Sequence, residues 1–148
     1  MLRYARMAIH TEELLLTPDD HAKIAAAVHA AEQRTSVEIH VHVGATSRYP
    51  EARASDLLRA AAAAHATRRP AMLLYLLMHE RRCFVVTDKT LRPLEGTRVW
   101  RDVTNRLMLD LLHGRVGEGM ADAVGRFSHI VAGHFPASLE VQPRSVAR

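Results

Sequence analysis

The sequence contains a single cysteine, Cys83, and few aromatic residues, which make up only 5% of the chain. One thiol excludes an internal disulfide and the zinc sites that need several cysteines. The longest apolar run, residues 71–78, is far shorter than the ~20 residues that span a bilayer. No signal-peptide pattern precedes Glu12 and Glu13. We therefore expect a soluble protein in the cytoplasm without a membrane span.

Several motifs of nucleotide and hydrolase chemistry are also missing. Neither GxxxxGK[ST] nor GxGxxG follows a predicted strand, and the GxSxG and HExxH motifs are absent. Gly114, Gly117 and Gly119 lie between two predicted helices, where we expect a turn. Cys83 begins a predicted strand, and we expect it to act as a small buried hydrophobe rather than a nucleophile.

The charge balance gives little support for nucleic-acid binding. The formal net charge is +4, from 20 basic and 16 acidic residues, and only Lys23 and Lys89 are lysines. The basic residues are spread along the chain and lack the interleaved aromatic residues on which single strands stack. We expect no nucleic-acid partner.

The hydrophobic fraction of 48% over 148 residues indicates one domain with its own core. Thr17 followed by Pro18 is typical of a helix start, and this helix extends to about Arg34. Strict alternation predicts a strand over residues 36–43, with Glu38, His40 and His42 on the face opposite four aliphatic residues. The remaining predicted elements are a helix over 51–67, a hairpin of strands 71–79 and 83–87, a loop over 89–96, and two helices between Thr97 and Pro136.

This order predicts an α/β fold in which a small mixed β-sheet, three-stranded or slightly larger, packs against about four helices. If the strands over 36–43 and 71–79 are parallel, the crossover between them should be right-handed. We expect residues 1–16 to form an N-terminal arm, residues 17–136 the domain and residues 137–148 a flexible tail.

Two sets of side chains are candidates for chemistry. His40 and His42 project from one side of a strand, roughly 6.5–7 Å apart, and with Glu38 they either share a metal ion or form an ordinary polar face. Asp88 ends a strand, and ligands of open α/β sheets gather at the carboxyl ends of strands. Its alternative role is to begin a turn. Paired carboxylates at such an edge suit calcium or magnesium.

The pattern of residues 24–43, IxxAVxxAExxTSxEIxVxV, resembles the opening of the TPM domain family. The similarity continues through Val-Val-Thr-Asp at residues 85–88, Trp100 on a helix, and the stretch from Gly114 to Pro136. Val37 departs from this family pattern, which usually has glycine there, and the loop over residues 44–50 lacks the acidic residues of the family's metal sites.

This resemblance implies a Rossmann-like α/β sandwich, with helices on both faces of the sheet, in a stand-alone soluble member of the family. It implies acid phosphatase activity on phosphorylated small molecules or proteins, with calcium or magnesium as the divalent cation. Glu32, Glu38 and Asp88 match acidic positions of the pattern and are the implied metal ligands. Asp88 and Glu38 would orient water, and Arg92 would hold the phosphate.

Two other functions fit the same resemblance. One is a non-catalytic module for protein interaction or membrane-complex assembly, which would act through a protein partner. The other is a domain that binds a structural divalent metal ion.

Overall fold

The computed structural model describes residues 9–12, 15–65 and 69–137. Within these ranges a sheet of four strands carries helices on both faces. The strands are β1 (Ile9–Thr11), β2 (Glu38–Gly44), β3 (Ala71–Leu77) and β4 (Arg82–Thr87), and the helices are α1 (Pro18–Arg34), α2 (Pro50–His65), α3 (Arg98–Leu112) and α4 (Val116–Ala132), with a 3₁₀ helix at Arg92–Gly96. None of the helices described is long and apolar enough to cross a membrane.

The sheet has the order β1-β2-β3-β4, with the first three strands parallel and β4 antiparallel to β3. This mixed sheet with its four α-helices confirms the predicted α/β fold. One boundary differs from expectation, because residues 9–11 pair with β2 as an edge strand instead of belonging to an irregular arm. Residues 1–8 of the expected arm and 138–148 of the expected tail lie outside the described residues, and Ala137 donates its amide hydrogen bond to the carbonyl of Arg34.

The two faces of the sheet are covered unequally. Helices α1, α3 and α4 form the larger core with the aliphatic side of β2, whereas α2 packs alone on the other side, mainly over β3 and β4. The helices of the two parallel crossovers, α1 and α2, therefore lie on opposite faces while the strands advance in one direction. Two such crossovers must have opposite hands, so one of them has the uncommon left hand.

Helix α1 begins where the sequence predicts, because the Thr17 hydroxyl accepts a hydrogen bond from the Asp20 amide at 3.0 Å. Its main neighbour is α4, and the two approach closely at Gly117. A Cβ atom at position 117 would lie 2.8 Å from Asp20 Cα and would also overlap Asp20 Oδ1. A side chain larger than hydrogen at position 117 would thus clash with α1. Gly117 and Gly119 lie within α4 and not in the expected turn.

The end of α1 is joined to the chain that follows α4. Thr35 and Pro136 form an isolated antiparallel bridge, and the amide of Ser36 donates to the carbonyl of Phe135 at 3.1 Å. The Arg34 guanidinium also donates to the buried hydroxyl of Ser128 on α4 at 2.5 Å. These contacts close the larger core at the edge where β2 begins.

Candidate functional site

The predicted acids Glu38 and Asp88 lie in one row of the sheet, at the edge where β2 and β3 begin. Glu38 is opposite Ala71, and Asp88 exchanges hydrogen bonds with Ala71 from the other side. Two strand spacings, about 9–10 Å of backbone, therefore separate the two acids. The row is at the amino ends of the parallel strands, because β4 runs antiparallel to them. The carboxyl-end rule that favoured Asp88 points to the opposite edge of this sheet.

The carboxylate of Asp88 is engaged with backbone amides. Oδ2 accepts from the amide of Ala71 at 2.8 Å, and Oδ1 accepts from the amides of Thr90 at 3.0 Å and Leu91 at 3.3 Å. These bonds fix the start of β3 and the turn after β4. This geometry matches the alternative expectation, in which Asp88 begins a turn.

Arg92 contacts the residue before Asp88, whereas the predicted acids Glu38 and Glu32 lie elsewhere. Glu38 is 1% exposed, and His40, also 1% exposed, lies with Nε2 3.2 Å from Glu38 Oε1. Glu32 belongs to α1, on the face opposite the Glu38 side chain. Arg92 is exposed and donates to the carbonyl of Thr87 at 3.4 Å. Among the described residues, no group of three or more His, Cys, Asp or Glu side chains is arranged to hold a metal ion.

The opposite edge of the sheet, where β1 and β2 end, carries a different carboxylate. Glu12 directly follows β1, and its amide donates to the carbonyl of Val43 at 3.0 Å. Its Oε1 accepts from the amide of Ala45 at 3.3 Å. Glu12 is thus held across the end of β2, beside Gly44.

A row of rings leads away from this carboxylate across the α2 face of the sheet. His10, His42 and Tyr75 occupy neighbouring strands in register. The ring centroids of His10 and His42 are 6.1 Å apart, and His42 meets Tyr75 edge-on at 5.7 Å. Tyr75 is buried, His42 is half-buried and His10 is exposed. The row therefore opens to solvent at β1, where α2 no longer covers the sheet.

The surroundings of His42 disfavour its charged form. Burial lowers the pKa of His42, electrostatic repulsion from the neighbouring His10 and Arg53 lowers it further, and only Glu12 acts in the opposite direction. Arg53 projects from the first turn of α2 and is exposed. The imidazole of His42 is therefore neutral at physiological pH and available to accept a proton or a hydrogen bond.

Helix α1, which follows β1 in the chain, packs on one face of the sheet, and α2, which follows β2, packs on the other. In α/β sheets, ligands bind at the carboxyl ends of strands whose connections diverge in this way. We call the group Glu12, His10, His42 and Arg53 the crevice site. It combines an anchored carboxylate, a neutral imidazole and an exposed guanidinium.

Sequence reasoning missed most of this site. The strand alternation identified His42, but Glu12 and His10 were assigned to an arm because β1 has only three residues. The other signal that could have identified Glu12 and His10 is the rule that ligands bind at the carboxyl ends of strands, applied to the parallel strands β1 and β2. Cys83 agrees with its predicted passive role, because it packs against the larger core and burial raises the pKa of its thiol to about 12.

Comparison with known proteins gives a family and a fold. Residues 9–130 match the TPM domain. The fold is similar to the solution structure of the BA42 protein from the psychrophilic bacterium Bizionia argentinensis, with a TM-score of 0.76 and 24% identity over 86% of this chain and 89% of that chain. It is also similar to the N-terminal domain of a P. gingivalis protein, with a TM-score of 0.66 and 20% identity over 88% and 84% of the two chains.

A search of curated proteins gives no match. The family match includes β1 and ends within α4, so it spans the whole sheet and the crevice site. The chain belongs to the TPM domain family.

Proposed function

We propose that this domain hydrolyses phosphomonoesters at the crevice site. The observation that carries the proposal is a neutral imidazole, His42, within the electrostatic influence of both the Glu12 carboxylate and the Arg53 guanidinium, near the carboxyl ends of two parallel strands. These groups supply a proton acceptor, a stabilising negative charge and a phosphate ligand. The family resemblance, which implies phosphatase activity, agrees with this chemistry.

Each residue then has a distinct role. Arg53 binds two phosphate oxygens through its guanidinium, and the open side of the crevice at β1 admits the substrate. His42 accepts a proton from the attacking water as the water oxygen bonds to phosphorus and the ester P–O bond breaks. The leaving alcohol takes a proton from solvent, and inorganic phosphate is released. Glu12 stabilises the positive charge that develops on the His42 ring.

Asp88, Glu38 and Arg92 are the rival location for the same reaction. That location requires the Asp88 carboxylate to leave the amides of Ala71, Thr90 and Leu91, which costs the stability that those bonds provide. Calcium or magnesium bound by Glu32, Glu38 and Asp88 requires these acids to converge from two faces of the sheet. We therefore favour the crevice site.

The test is hydrolysis of a generic phosphomonoester by wild type, His42→Gln, Arg53→Ala and Asp88→Ala, with and without added magnesium or calcium. We expect His42→Gln to lower kcat at least about tenfold, as for loss of a general base, and Arg53→Ala to act mainly on KM. His29→Gln is the matched control, because His29 is exposed on α1, which packs on the other face.

Loss of activity in Asp88→Ala with full activity in His42→Gln would transfer the reaction to the rival location. Absence of turnover by folded wild-type protein under all conditions would exclude phosphomonoester hydrolysis as the function. The non-catalytic interaction module would then be the favoured function. A rise in melting temperature with calcium that is lost in Asp88→Ala would instead support a structural metal ion.

A further inference from the structure

Helix α3 carries most of the exposed large hydrophobic side chains of the described residues. Among the described residues, five large hydrophobic side chains are exposed, and four of them lie on α3, namely Val99, Met108, Leu109 and Leu112. Large contiguous apolar patches on soluble proteins mark interaction sites. The outer side of α3 is therefore a candidate interface, distant in the fold from the crevice site.

A groove of about 690 Å³ follows this side of α3 where it meets α4. Its lining on α3 includes Val99, Asp102, Arg106 and Leu109, which we call the α3 stripe, and its lining on α4 includes Arg126 and Ile130. The stripe spans about 15 Å along the helix. Val99 and Leu109, at its two ends, are each 56% exposed.

The charges within the groove are unevenly compensated. Arg106 Nε and Arg126 Nε lie 3.3 and 2.9 Å from the same oxygen, Oδ2 of Asp122, so two guanidinium groups share one carboxylate. Asp102, one turn before Arg106, has no ion pair or hydrogen bond to its carboxylate among the residues described. The groove thus has a surplus positive charge at one point and an uncompensated negative charge at a neighbouring one.

The order of residues in the α3 stripe is self-complementary. An apolar residue stands at each end, with an acid and a base between them, and successive residues are three, four and three positions apart. When two such helices lie antiparallel about a two-fold axis, Val99 meets Leu109 of the other copy and Asp102 meets Arg106. In a two-fold interface every contact occurs twice, so both charge pairs and both apolar pairs form at once.

We propose that the α3 stripe is the interface of a two-fold homodimer, in which α3 of one copy lies antiparallel in the groove between α3 and α4 of the other. Asp102 of each copy then approaches the Arg106 and Arg126 pair of its partner and supplies the carboxylate that this pair lacks. The exposed ends of the stripe become buried against each other. The proposal is independent of any reaction at the crevice site.

The experiment is sedimentation velocity of the full chain from low micromolar to millimolar concentration. For wild type we expect the mass to rise from one chain to two. Asp102→Arg places a third cation beside Arg106 and Arg126 of the partner, and Arg106→Asp brings two acids together. Each change should raise the dimer Kd at least about tenfold, because the repulsion occurs twice. The reversed pair, Asp102→Arg with Arg106→Asp, should return the Kd to within about threefold of wild type.

Asp56→Arg is the control for the change of net charge, since Asp56 is exposed on α2 outside the groove. Its Kd should equal that of wild type, and circular dichroism should show all variants folded. A wild type that stays at the mass of one chain up to millimolar concentration would overturn the proposal. So would an Asp102→Arg variant that dimerises as tightly as wild type, or a reversed pair that stays as weak as the single variants.

Discussion

The carboxylate of Glu12 lies so close to Gly44 that a Cβ atom at position 44 would be 3.0 Å from Glu12 Oε2. The same atom would be 3.5 Å from Cε1 of the Tyr75 ring. The absence of a side chain at the end of β2 is therefore what lets the carboxylate lie across the strand and reach the amide of Ala45. A glycine that the sequence places at the start of a loop in fact shapes the crevice site.

Gly44→Ala should lower the phosphomonoester hydrolysis rate severalfold while changing the free energy of unfolding by less than about 1 kcal/mol. The new methyl group displaces Glu12 and weakens one hydrogen bond, worth about 1 kcal/mol, while alanine gains back a similar amount in backbone entropy. Urea denaturation and initial rates measure the two effects. Gly125→Ala is the control, since a Cβ there meets nothing within 4 Å. Equal rates for Gly44→Ala and wild type would show that the position of Glu12 is unimportant.

Gly117→Ala should destabilise the fold by about 2 kcal/mol, although alanine is the better helix former. The added Cβ would overlap the backbone of Asp20 at 2.8 Å, which cannot rotate away as a side chain can. Helices α1 and α4 must then separate. Urea denaturation should give a lower midpoint than wild type, whereas Gly125→Ala should raise it. A stabilised Gly117→Ala protein would contradict the close approach of these helices.

Asp88→Ala should lower the free energy of unfolding by about 2 kcal/mol, because three backbone amides lose their acceptor. Asp88→Asn keeps one acceptor oxygen and should lose less. We expect the hydrolysis rate per folded molecule to stay at the wild-type level in both variants. Denaturation midpoints together with rates normalised to the folded fraction separate the two effects. A hydrolysis rate that falls while stability is unchanged would show that Asp88 takes part in the reaction.

The pH dependence of stability should carry the signature of His42. Its pKa in the folded protein is lowered, whereas in the unfolded chain it is about 6.5. As the pH falls below this unfolded value, the unfolded state binds a proton first, so stability decreases and the decrease ends only below the folded pKa. Melting temperatures from neutral to mildly acidic pH should therefore fall more steeply in wild type than in His42→Gln. Parallel curves for the two proteins would contradict this assignment.

Local signals in the sequence were sufficient for most elements of the fold. The capping threonine at position 17, the alternation in β2 and the apolar run of β3 each dictate an element through its own hydrogen bonds or burial. The edge strand β1 was not predicted, because three residues give no periodicity and its partner, β2, is distant in sequence. The position of Asp88 was also misjudged, since strand direction is a property of the assembled sheet.

The burial of Glu38 has a similar explanation. Alternation identifies the side of β2 on which Glu38 and His40 lie, but it does not say that this side is covered. The crevice site likewise depends on the opposite exits of two connections, which no local pattern encodes. In each case, the feature that the sequence did not predict depends on contacts between residues that are far apart in the chain.

The bridge between Thr35 and Pro136 has a consequence for biosynthesis. A growing polypeptide can form α1 and β2 early, but the larger core stays open until α4 and the residues after it have left the ribosome. Contacts between such distant positions raise the contact order of the domain, which slows folding. Nascent chains that stall before α4 should therefore expose the apolar side chains that α4 covers, those of α1 above all.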